Sequence, residues 1–235
     1  YGNGKEVLKD INMTIPKGST FGIIGLTGSG KTTLINLIVR FYDAVTGKIT
    51  IGGQDIKELS PKFLREYIGI VPQKAILFSG SIKDNIKMGN NGISDQRIID
   101  SLKIAQAKFV EKLPQKYDDH IEQGGTNLSG GQRARLTVAR AQAISPKILI
   151  LDDSSSALDF ATERKLSKAL KKDAEDRTVI TISQRAGSLK NADRIAVLNE
   201  GKIVGLGTHD ELIKTNQLYQ DIYRTRINIE GGQNG

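Results

Sequence analysis

The sequence predicts an α/β fold with a mostly parallel sheet, and two observations lead to this prediction. Short apolar runs with the length of buried strands alternate along the chain with segments of helical periodicity, the pattern of a parallel sheet covered by helices. One of these runs ends in a glycine-rich loop that opens directly into a helix, which gives the order strand, loop, helix. We also expect an antiparallel β subdomain and an inserted helical subdomain.

The composition is that of an ordinary globular protein. A chain of 235 residues can bury one sizeable core, or one core with an inserted subdomain. Hydrophobic residues make up 38% and charged residues 26%, and no apolar run approaches the roughly 20 residues that a membrane span needs. The sequence has no cysteine, so it excludes disulfide bonds and thiolate chemistry and fits a reducing compartment.

The net charge of +8 admits nucleic acid, an anionic membrane surface or phosphate ligands as partners. We expect no nucleic-acid partner, because the sequence has no tryptophan and no basic tract interleaved with aromatic residues. The densest basic group is either a solvated helix face or a surface for a partner or lipid. It consists of Arg164, Lys165, Lys168, Lys171 and Lys172.

The N-terminal part of the chain alternates strand and helix signals. Apolar and polar positions alternate over residues 7–15, and a Pro-Lys-Gly turn follows. Ser60 is a good N-cap and Pro61 suits the first helical position, so a short helix begins there. The predicted strands are Val7–Ile15, Phe21–Ile24, Lys48–Gly52 and Ile68–Val71, and the predicted helices are Thr32–Arg40 and Pro61–Tyr67.

Helical signals dominate the middle of the chain. Strand signals are few from about Ile82 to Leu128, which predicts the inserted helical subdomain. Ser94 can cap a helix whose apolar positions share one face, and these are Ile98, Leu102, Ala105, Phe109 and Leu113. A glycine turn at residues 128–132 then opens a helix that continues to about Ile144.

Strand signals return in the C-terminal part. The apolar runs Ile148–Leu151 and Thr178–Ile182 are typical of strands buried on both faces, and Ile195–Leu206 reads as a hairpin that turns at residues 199–201. Thr208 and Glu211 match a capping box that starts the last helix, and His209 inside it is expected at the surface. Residues 227–235 are polar and glycine-rich, so we expect a disordered tail.

The glycine-rich loop matches the pattern G-x-x-x-x-G-K-[ST] in full. Its glycines let backbone N–H groups turn inward around phosphates, and the following helix presents its positive N-terminal end to them. Lys31 is placed to reach the β- and γ-phosphates, and the Thr32 hydroxyl can bind Mg²⁺. The alternative is a glycine-rich turn between strand and helix that binds no ligand. Such a turn does not require the lysine and threonine of the G-x-x-x-x-G-K-[ST] pattern. The residues predicted to bind MgATP are Gly25, Thr27, Gly28, Ser29, Gly30, Lys31, Thr32 and Thr33.

A carboxylate must hold the metal from the opposite side. The apolar run before Asp152 delivers this side chain at the C-terminal end of a predicted strand, where ligands bind in open α/β sheets. The loop and Asp152 together indicate a P-loop NTPase with a RecA-like core that uses ATP and Mg²⁺.

A further motif, LSGGQ at residues 128–132, resembles the signature sequence of ABC ATPases, and the resemblance covers nearly the whole chain. Gln73 matches the Q-loop glutamine of that family, which implies a catalytic role and contact with the metal. Taken alone, Gln73 would be an exposed loop residue. Residues 156–159 match the D-loop, and Tyr1 lies where the family places an aromatic ring that stacks on adenine. Tyr1 is otherwise a plain aromatic residue at the chain terminus.

Several stretches are similar to exporters of this family more than to importers. Glu122 resembles a residue of the exporter X-loop. The sequences of residues 71–73, 77–82 and 207–212 also resemble those of exporters. The resemblance implies an ABC ATPase domain over residues 1–226. The nucleotide-binding core with its β subdomain would take residues 1–81 and 145–226, and the helical subdomain with the signature about residues 82–144.

The resemblance also implies a head-to-tail pair of such domains, in which each ATP lies between one phosphate loop and the signature of the other domain. In this chain the residues that would contact the partner's ATP are Ser129, Gly130, Gly131 and Gln132. It further implies transmembrane domains fused before Tyr1, transport driven by ATP, and a location at the cytoplasmic face of the cell membrane.

Two positions depart from the family pattern. Asp153 stands where the family has its catalytic glutamate, and a carboxylate one methylene shorter is poorly placed to polarise the attacking water. Gln184 stands where the family has its switch histidine, and an amide cannot carry the charge of an imidazolium. The pair resembles the degenerate subunit of heterodimeric exporters, with one slow and one fast ATP site, although either change alone could be neutral drift.

Two other functions stay open on the sequence. A soluble ABC-type ATPase acting on DNA or ribosomes is one, although that class usually carries two such domains or long coiled-coil insertions. The other is a nucleotide switch without hydrolysis, which would bind ATP only to hold a partner closed.

Overall fold

The computed structural model describes residues 6–154, 157–173 and 176–231, with side chains through Thr225. Tyr1, Ser156 and residues 232–235 therefore lie outside the described residues. The chain divides into two compact units. The first comprises Tyr1–Arg65 and Thr178–Gly235, and the second comprises Glu66–Arg177.

The strands are short and are numbered here in chain order. They are β1 Thr20–Ile24, β2 Thr50–Ile51, β3 Gln54–Asp55, β4 Ile68–Val71, β5 Gly80–Ser81, β6 His120–Ile121, β7 Ile148–Asp152, β8 Thr178–Ser183, β9 Arg194–Asn199 and β10 Lys202–Gly207.

The α-helices are numbered in the same way. They are α1 Lys31–Ile38, α2 Pro61–Tyr67, α3 Ile82–Lys87, α4 Asp95–Ile104, α5 Gly130–Ala143, α6 Phe160–Asp173, α7 Ala186–Leu189, α8 His209–Thr215 and α9 Gln217–Gly231. Short 3₁₀ helices occupy Ile56–Glu58, Lys108–Lys112, Lys116–Asp118 and Gln123–Gly125.

In the first unit, β1 pairs in parallel with both β8 and β9, and β10 pairs antiparallel with β9. Strands β1, β8 and β9 are mostly apolar and buried, as expected for strands covered on both faces. The β9–β10 hairpin turns at Glu200 and Gly201, as predicted, and both residues have positive φ. The small antiparallel pair β2–β3 lies in the same unit.

In the second unit, β4 and β7 form a parallel pair, with Val71 in register with Leu151. Helix α5 is buried along most of its length, and α3 and α4 pack against it. Its C-terminal turn is held by a buried polar network, in which Arg177 donates to the Gln142 side chain at 2.6 Å and to the Pro146 carbonyl at 2.9 Å. The fold is thus α/β with a mixed, mostly parallel arrangement of strands.

The segment predicted as a strand over Val7–Ile15 does not form one. Its burial alternates over residues 11–15 as predicted, but Asp10 has a φ of 53°, which interrupts an extended backbone. The segment instead crosses the β9–β10 turn, where the N–H of Lys9 donates to the carbonyl of Gly201 at 2.8 Å. The alternating burial of residues 11–15 therefore occurs without a strand ladder.

Some boundaries also differ from the predictions. Ser94 caps α4 as predicted, and Ile98 and Leu102 are buried, but the helix ends at Ile104, so Phe109 lies in a separate 3₁₀ helix. Helix α9 extends to Gly231, past the start of the predicted tail. The helical segment 82–144 shares its compact unit with β4 and β7. No helix within the described ranges is long and apolar enough to span a membrane.

His209 is buried, at 8% exposure, and the expectation of a surface position was wrong. Its Nδ1 lies 2.8 Å from the hydroxyl of Tyr219, and its ring meets the rings of Tyr219 and Tyr223 edge-on. Burial lowers the pKa of His209, with Lys190 acting in the same direction and Asp210 opposing it, and burial raises the pKa of Tyr219 to about 12. Packing of α9 against α8 buries this residue, and no local sequence signal shows it.

The low pKa of His209 predicts a loss of stability in mild acid. In the fold His209 takes a proton less readily than in the unfolded chain, where it does so as the pH falls below about 6.5. The contribution of His209 to the free energy of unfolding should therefore be constant above neutrality and fall as the pH decreases through that value. Denaturant titrations at about pH 7.5 and about pH 5.5 measure this change. His209→Gln should flatten the dependence, whereas His120→Gln, at the exposed histidine, should leave it intact. An unchanged slope in His209→Gln would contradict the prediction.

Candidate functional site

The phosphate loop of the first unit closes around the ammonium group of Lys31. Its Nζ donates to the carbonyls of Gly25 at 2.7 Å and Leu26 at 2.8 Å, and lies 3.4 Å from the Ser29 hydroxyl oxygen. A cation thus lies at the centre of the loop, beside the start of α1, whose first N–H groups have no acceptor within the helix. This arrangement can bind an anion with several oxygen atoms.

Two glycines of the loop are required for different reasons. A Cβ on Gly25 would lie 2.3 Å from the carbonyl oxygen of Leu198 and 2.5 Å from the hydroxyl of Ser29, so no side chain fits there. Gly28 has open space around it but a φ of 82°, which disfavours other residues. The motif spacing therefore reflects both close packing and backbone conformation.

The β9–β10 turn anchors this loop. The N–H of Gly201 donates to the carbonyl of Ser29 at 3.0 Å, and the same glycine's carbonyl accepts from Lys9. Ser29 itself is buried, at 4% exposure. The loop is thus tied to the turn by a main-chain hydrogen bond at Ser29, while Leu26, Thr27 and Gly28 are exposed.

Thr32, Thr33 and Gln184 lie close to this loop in the first unit. Thr32 and Thr33 are in the first turn of α1, and Thr32 is exposed. Gln184 follows Ser183, the residue of β8 in register with Ile24 immediately before the loop. Because β1 and β8 are parallel, their C-terminal ends meet at one edge, and Gln184 lies at that edge beside the phosphate loop.

The second unit brings Asp152, Asp153 and Gln73 to the C-terminal ends of β4 and β7. The amide Nε2 of Gln73 lies 3.5 Å from the carboxylate Oδ2 of Asp153, a long hydrogen bond. Both aspartates are half-buried, and Gln73 is exposed. Asp153 has a φ of 42°, in the left-handed region where aspartate is tolerated better than most residues.

The signature residues form the start of α5. The Ser129 hydroxyl accepts from the N–H of Gln132 at 3.2 Å, and the Gln132 side chain accepts from the N–H of Ser129 at 2.8 Å, a complete capping box. The Ser129 hydroxyl keeps its own proton to donate to another group, and its side chain is exposed.

Nothing within the described part of the chain requires a glycine at position 130. A Cβ built there would meet no atom closer than 3.9 Å, which is ordinary contact, and Gly130 is exposed. A glycine would be required at position 130 if another molecule approached the main chain closely there. Beside it, a cavity of about 390 Å³ lies between the segment after β4 and the first turns of α5, with Gln73, Arg133 and Ser154 among its lining residues.

The structure groups the predicted site residues by unit. The residues from Gly25 to Thr33 and Gln184 lie together in the first unit, and Asp152, Asp153, Gln73 and the signature lie in the second. No sequence motif singles out Arg133 and Arg140, two arginines on the largely buried helix α5. The presence of arginine on a mostly apolar helix is the one signal that the sequence offers for them. Across residues 6–154, 157–173 and 176–225, no three acidic or histidine side chains cluster as a metal site.

Comparison with known proteins gives one consistent result. Residues 8–156 match the family model described as ABC transporter. A putative multidrug export ATP-binding/permease protein of Staphylococcus aureus strain NCTC 8325 / PS 47 is 43% identical over 222 residues, which are 94% of this chain and 38% of the relative. The corresponding protein of strain Mu50 / ATCC 700699 matches equally.

The same similarity is visible among solved structures. A bacterial Atm1-family ABC exporter with ATP bound matches with a TM-score of 0.92 and 36% identity, over 96% of this chain and 40% of that one. The chain therefore spans about two fifths of the length of the proteins it matches.

The close packing at Gly25 predicts a specific cost for a methyl group. Gly25→Ala should lower the free energy of unfolding by about 1–3 kcal/mol and weaken phosphate binding, because the loop must move away from Leu198. Gly187→Ala is the matched control, since a Cβ there meets nothing within 4 Å. Denaturant titration and phosphate binding of both variants test this, and equal stability of the two would contradict it.

Proposed function

We propose that this chain, which belongs to the ABC transporter family as the ATP-binding domain of an exporter, hydrolyses ATP to drive transport across a membrane. We propose further that its own site is slow and that its partner is a second, non-identical ATPase domain. Its place is then the cytoplasmic face of a membrane, attached to transmembrane domains that precede Tyr1.

The observation that supports ATP binding most directly is the Lys31 ammonium inside its loop. Lys31 already donates to oxygen acceptors, the carbonyls of Gly25 and Leu26. Phosphate oxygens can replace these acceptors with charge-assisted hydrogen bonds, which are stronger than bonds to neutral carbonyls. Thr27, Gly28, Ser29, Gly30 and Thr33 complete the phosphate site in this proposal, and Tyr1 stacks on adenine.

The oxygen donors of Thr32, Gln73 and Asp152 suit Mg²⁺, which prefers oxygen ligands and commonly combines one or two carboxylates with substrate phosphates. The scarcity of acidic clusters in the described residues fits this, because the remaining ligands would come from ATP and water. When bound, Mg²⁺ neutralises charge on the phosphates. Hydrolysis then adds water oxygen to the γ-phosphorus, breaks its bond to the bridging oxygen and releases ADP and phosphate.

A slow site is supported by the residues at the two departures. Asp153 has a short side chain on a left-handed backbone and lies 3.5 Å from the amide of Gln73, so its carboxylate has an acceptor role inside the protein. Gln184 at the end of β8 can donate a hydrogen bond to the γ-phosphate but brings no positive charge. Both positions therefore offer less stabilisation of the reacting water and phosphate than glutamate and histidine would.

The partner is supported by the exposed start of α5. Ser129 has a hydroxyl proton to donate, Gly130 and Gly131 present N–H groups at a helix N-terminus, and Gln132 fixes the cap. In a head-to-tail pair these groups would complete the ATP site of the other domain. Since they are unaltered in this chain, the partner's site would be the fast one.

Lys31→Ala should abolish binding of MgATP to this chain, because the site loses its central cation. Lys57→Ala is the control, since its ammonium likewise donates to a main-chain carbonyl, that of Ala44 at 3.0 Å, away from the loop. Binding is measured by calorimetric titration. Steady-state hydrolysis by the unpaired chain should be very low, and robust turnover there would argue against a slow site.

The assembled transporter should show an asymmetry between the signature and Asp153. Ser129→Ala removes a donor to the partner's γ-phosphate and should lower ATPase and transport by about 100- to 1000-fold. Gly130→Asp should act similarly, by placing a charged side chain at the same approach. Asp153→Asn alters a site that is already slow, so total turnover should fall much less.

This comparison uses the full-length transporter with its partner, with steady-state ATPase and transport as readouts. Equal losses from Ser129→Ala and Asp153→Asn would indicate two equivalent sites and contradict the non-identical partner. A transporter that closes on ATP without turnover at either site would instead favour the nucleotide switch.

A further inference from the structure

The second unit contains the cavity of about 390 Å³ described above, and the proposed function gives it no occupant. The cavity lies between the segment after β4 and the first turns of α5, and all of its lining residues belong to this one unit. Its volume falls in the range of about 300–1,000 Å³ that is typical of small-molecule pockets. Of residues 128–132, all of which the structure describes, Gly130 alone lines the cavity.

Ser154 is a buried polar residue of this cavity whose hydroxyl lacks a partner. The residue is 7% exposed, and its hydroxyl makes no hydrogen bond with any residue in the ranges that the structure describes. Among those residues, the one fully buried side-chain nitrogen or oxygen without a partner is Nε of Arg135, so the Ser154 hydroxyl is not sealed inside the protein. The hydroxyl therefore reaches the cavity that its residue lines, where a ligand atom can accept its proton.

The charged side chains that line the cavity are cationic. Arg133 is held through its Nη1, which donates to the carbonyls of Gly125 and Leu128. Its Nη2 lies 3.9 Å from the position that a Cβ on Gly130 would take. Lys74, in the segment after β4, forms no ion pair within the described ranges. No aspartate or glutamate is among the lining residues, so the cavity favours an anion.

Two carboxylates stand behind the lining residues and limit how much negative charge the ligand can bring. Glu122 accepts from the hydroxyl of Thr126 at 2.6 Å, and the carboxylate of Asp153 lies 3.5 Å from the Gln73 amide. Thr126 and Gln73 line the cavity, whereas the two carboxylates do not. These charges lower the positive potential of the cavity, so a singly charged anion suits it better than a polyphosphate.

The rest of the wall is apolar and favours a ligand with an apolar body. An inorganic anion would contact the cations and leave this part of the wall in water, whereas a ring or a short hydrocarbon chain would cover it. The apolar lining residues are Val71, Pro72, Ala75, Ala134 and Ala157.

We propose that this cavity binds a small organic carboxylate. The Ser154 hydroxyl donates to the carboxylate, Arg133 and Lys74 supply the opposite charge, and the apolar body of the ligand covers the alanines of the wall. None of the phosphate-loop residues 25–33, all of them described, lines the cavity. The inference therefore goes beyond the proposed function and does not depend on it.

The test is photo-crosslinking of the full-length protein with 4-benzoylbenzoate, a carboxylate with two aromatic rings, followed by peptide mapping. Labelling should saturate in peptides that contain residues 71–75 or Ala134. 4-Methylbenzophenone is the uncharged analogue of the same shape, and it should label these peptides about tenfold less at the same concentration, because it lacks the charge-assisted hydrogen bonds. Equal labelling by the two compounds would overturn the proposal.

Ser154→Ala should raise the concentration of half-maximal labelling about tenfold, because it removes a hydrogen bond to a charged group. Ser101→Ala is the matched control and should leave labelling unchanged. Ser101 is also buried in the second unit, but its hydroxyl donates to the carbonyl of Arg97 at 2.6 Å and it does not line the cavity.

Ala75→Phe is a second variant, which keeps the inference testable if Ser154→Ala does not fold. It places a ring in the cavity from a half-buried position and should abolish labelling of the peptide that contains Ala134. Unchanged labelling in either variant, once it is folded, would overturn the proposal.

Two further measurements separate this cavity from a site for any anion and from the phosphate loop. Inorganic phosphate, at the concentration at which 4-benzoylbenzoate saturates, should not compete, and competition would overturn the organic ligand. Lys31→Ala should leave the labelling of these peptides intact while it abolishes MgATP binding. Loss of labelling in Lys31→Ala would overturn this inference, whereas retained MgATP binding there would overturn the proposed function alone.

Discussion

The Lys31 ammonium is held by the carbonyl oxygens of Gly25 and Leu26, and the geometry of the phosphate loop follows from this contact. Carbonyls can converge on a cation only where the main chain turns tightly, and Gly25 allows this because a side chain would collide with Leu198. The N–H of Gly201 in the β9–β10 turn donates to the carbonyl of Ser29 and so fixes the loop at this residue. Contacts inside the protein thus hold the loop and the Lys31 ammonium in place, and in the proposed function phosphate oxygens would replace the carbonyl acceptors of Lys31.

In the second unit, helix α5 is likewise fixed by hydrogen bonds to main-chain carbonyls. Its first residues form a cap with an exposed hydroxyl, and its buried turns carry arginines that bond main-chain carbonyls of other segments. A buried guanidinium satisfied by carbonyl and amide oxygens is costly to leave unpaired, so these segments move together with the helix or the bonds break. A rigid helix with fixed attachments can transmit small displacements from one end to the other.

The surroundings of Asp153 bear on the proposal that this chain's own ATP site is slow. Asp153 has a left-handed backbone, which a short polar side chain tolerates, and its carboxylate is close to the Gln73 amide. A site whose carboxylate binds the loop rather than water would be suited to retaining ATP. In the proposed pair, slow hydrolysis in this chain's own site and an intact signature that completes the partner's site would then together make the two ATP sites unequal.

The sequence by itself determined the local features of this protein. It predicted the phosphate loop, the Ser94 and Thr208 caps and the β9–β10 turn, because each depends on dihedral preferences and hydrogen bonds within a few residues. Only the tertiary structure decided the burial of His209, the failure of residues 7–15 to form a strand and the contacts of Arg140. These depend on residues distant in sequence that packing brings together, such as Asn85 and Arg140, and no local pattern encodes such a meeting.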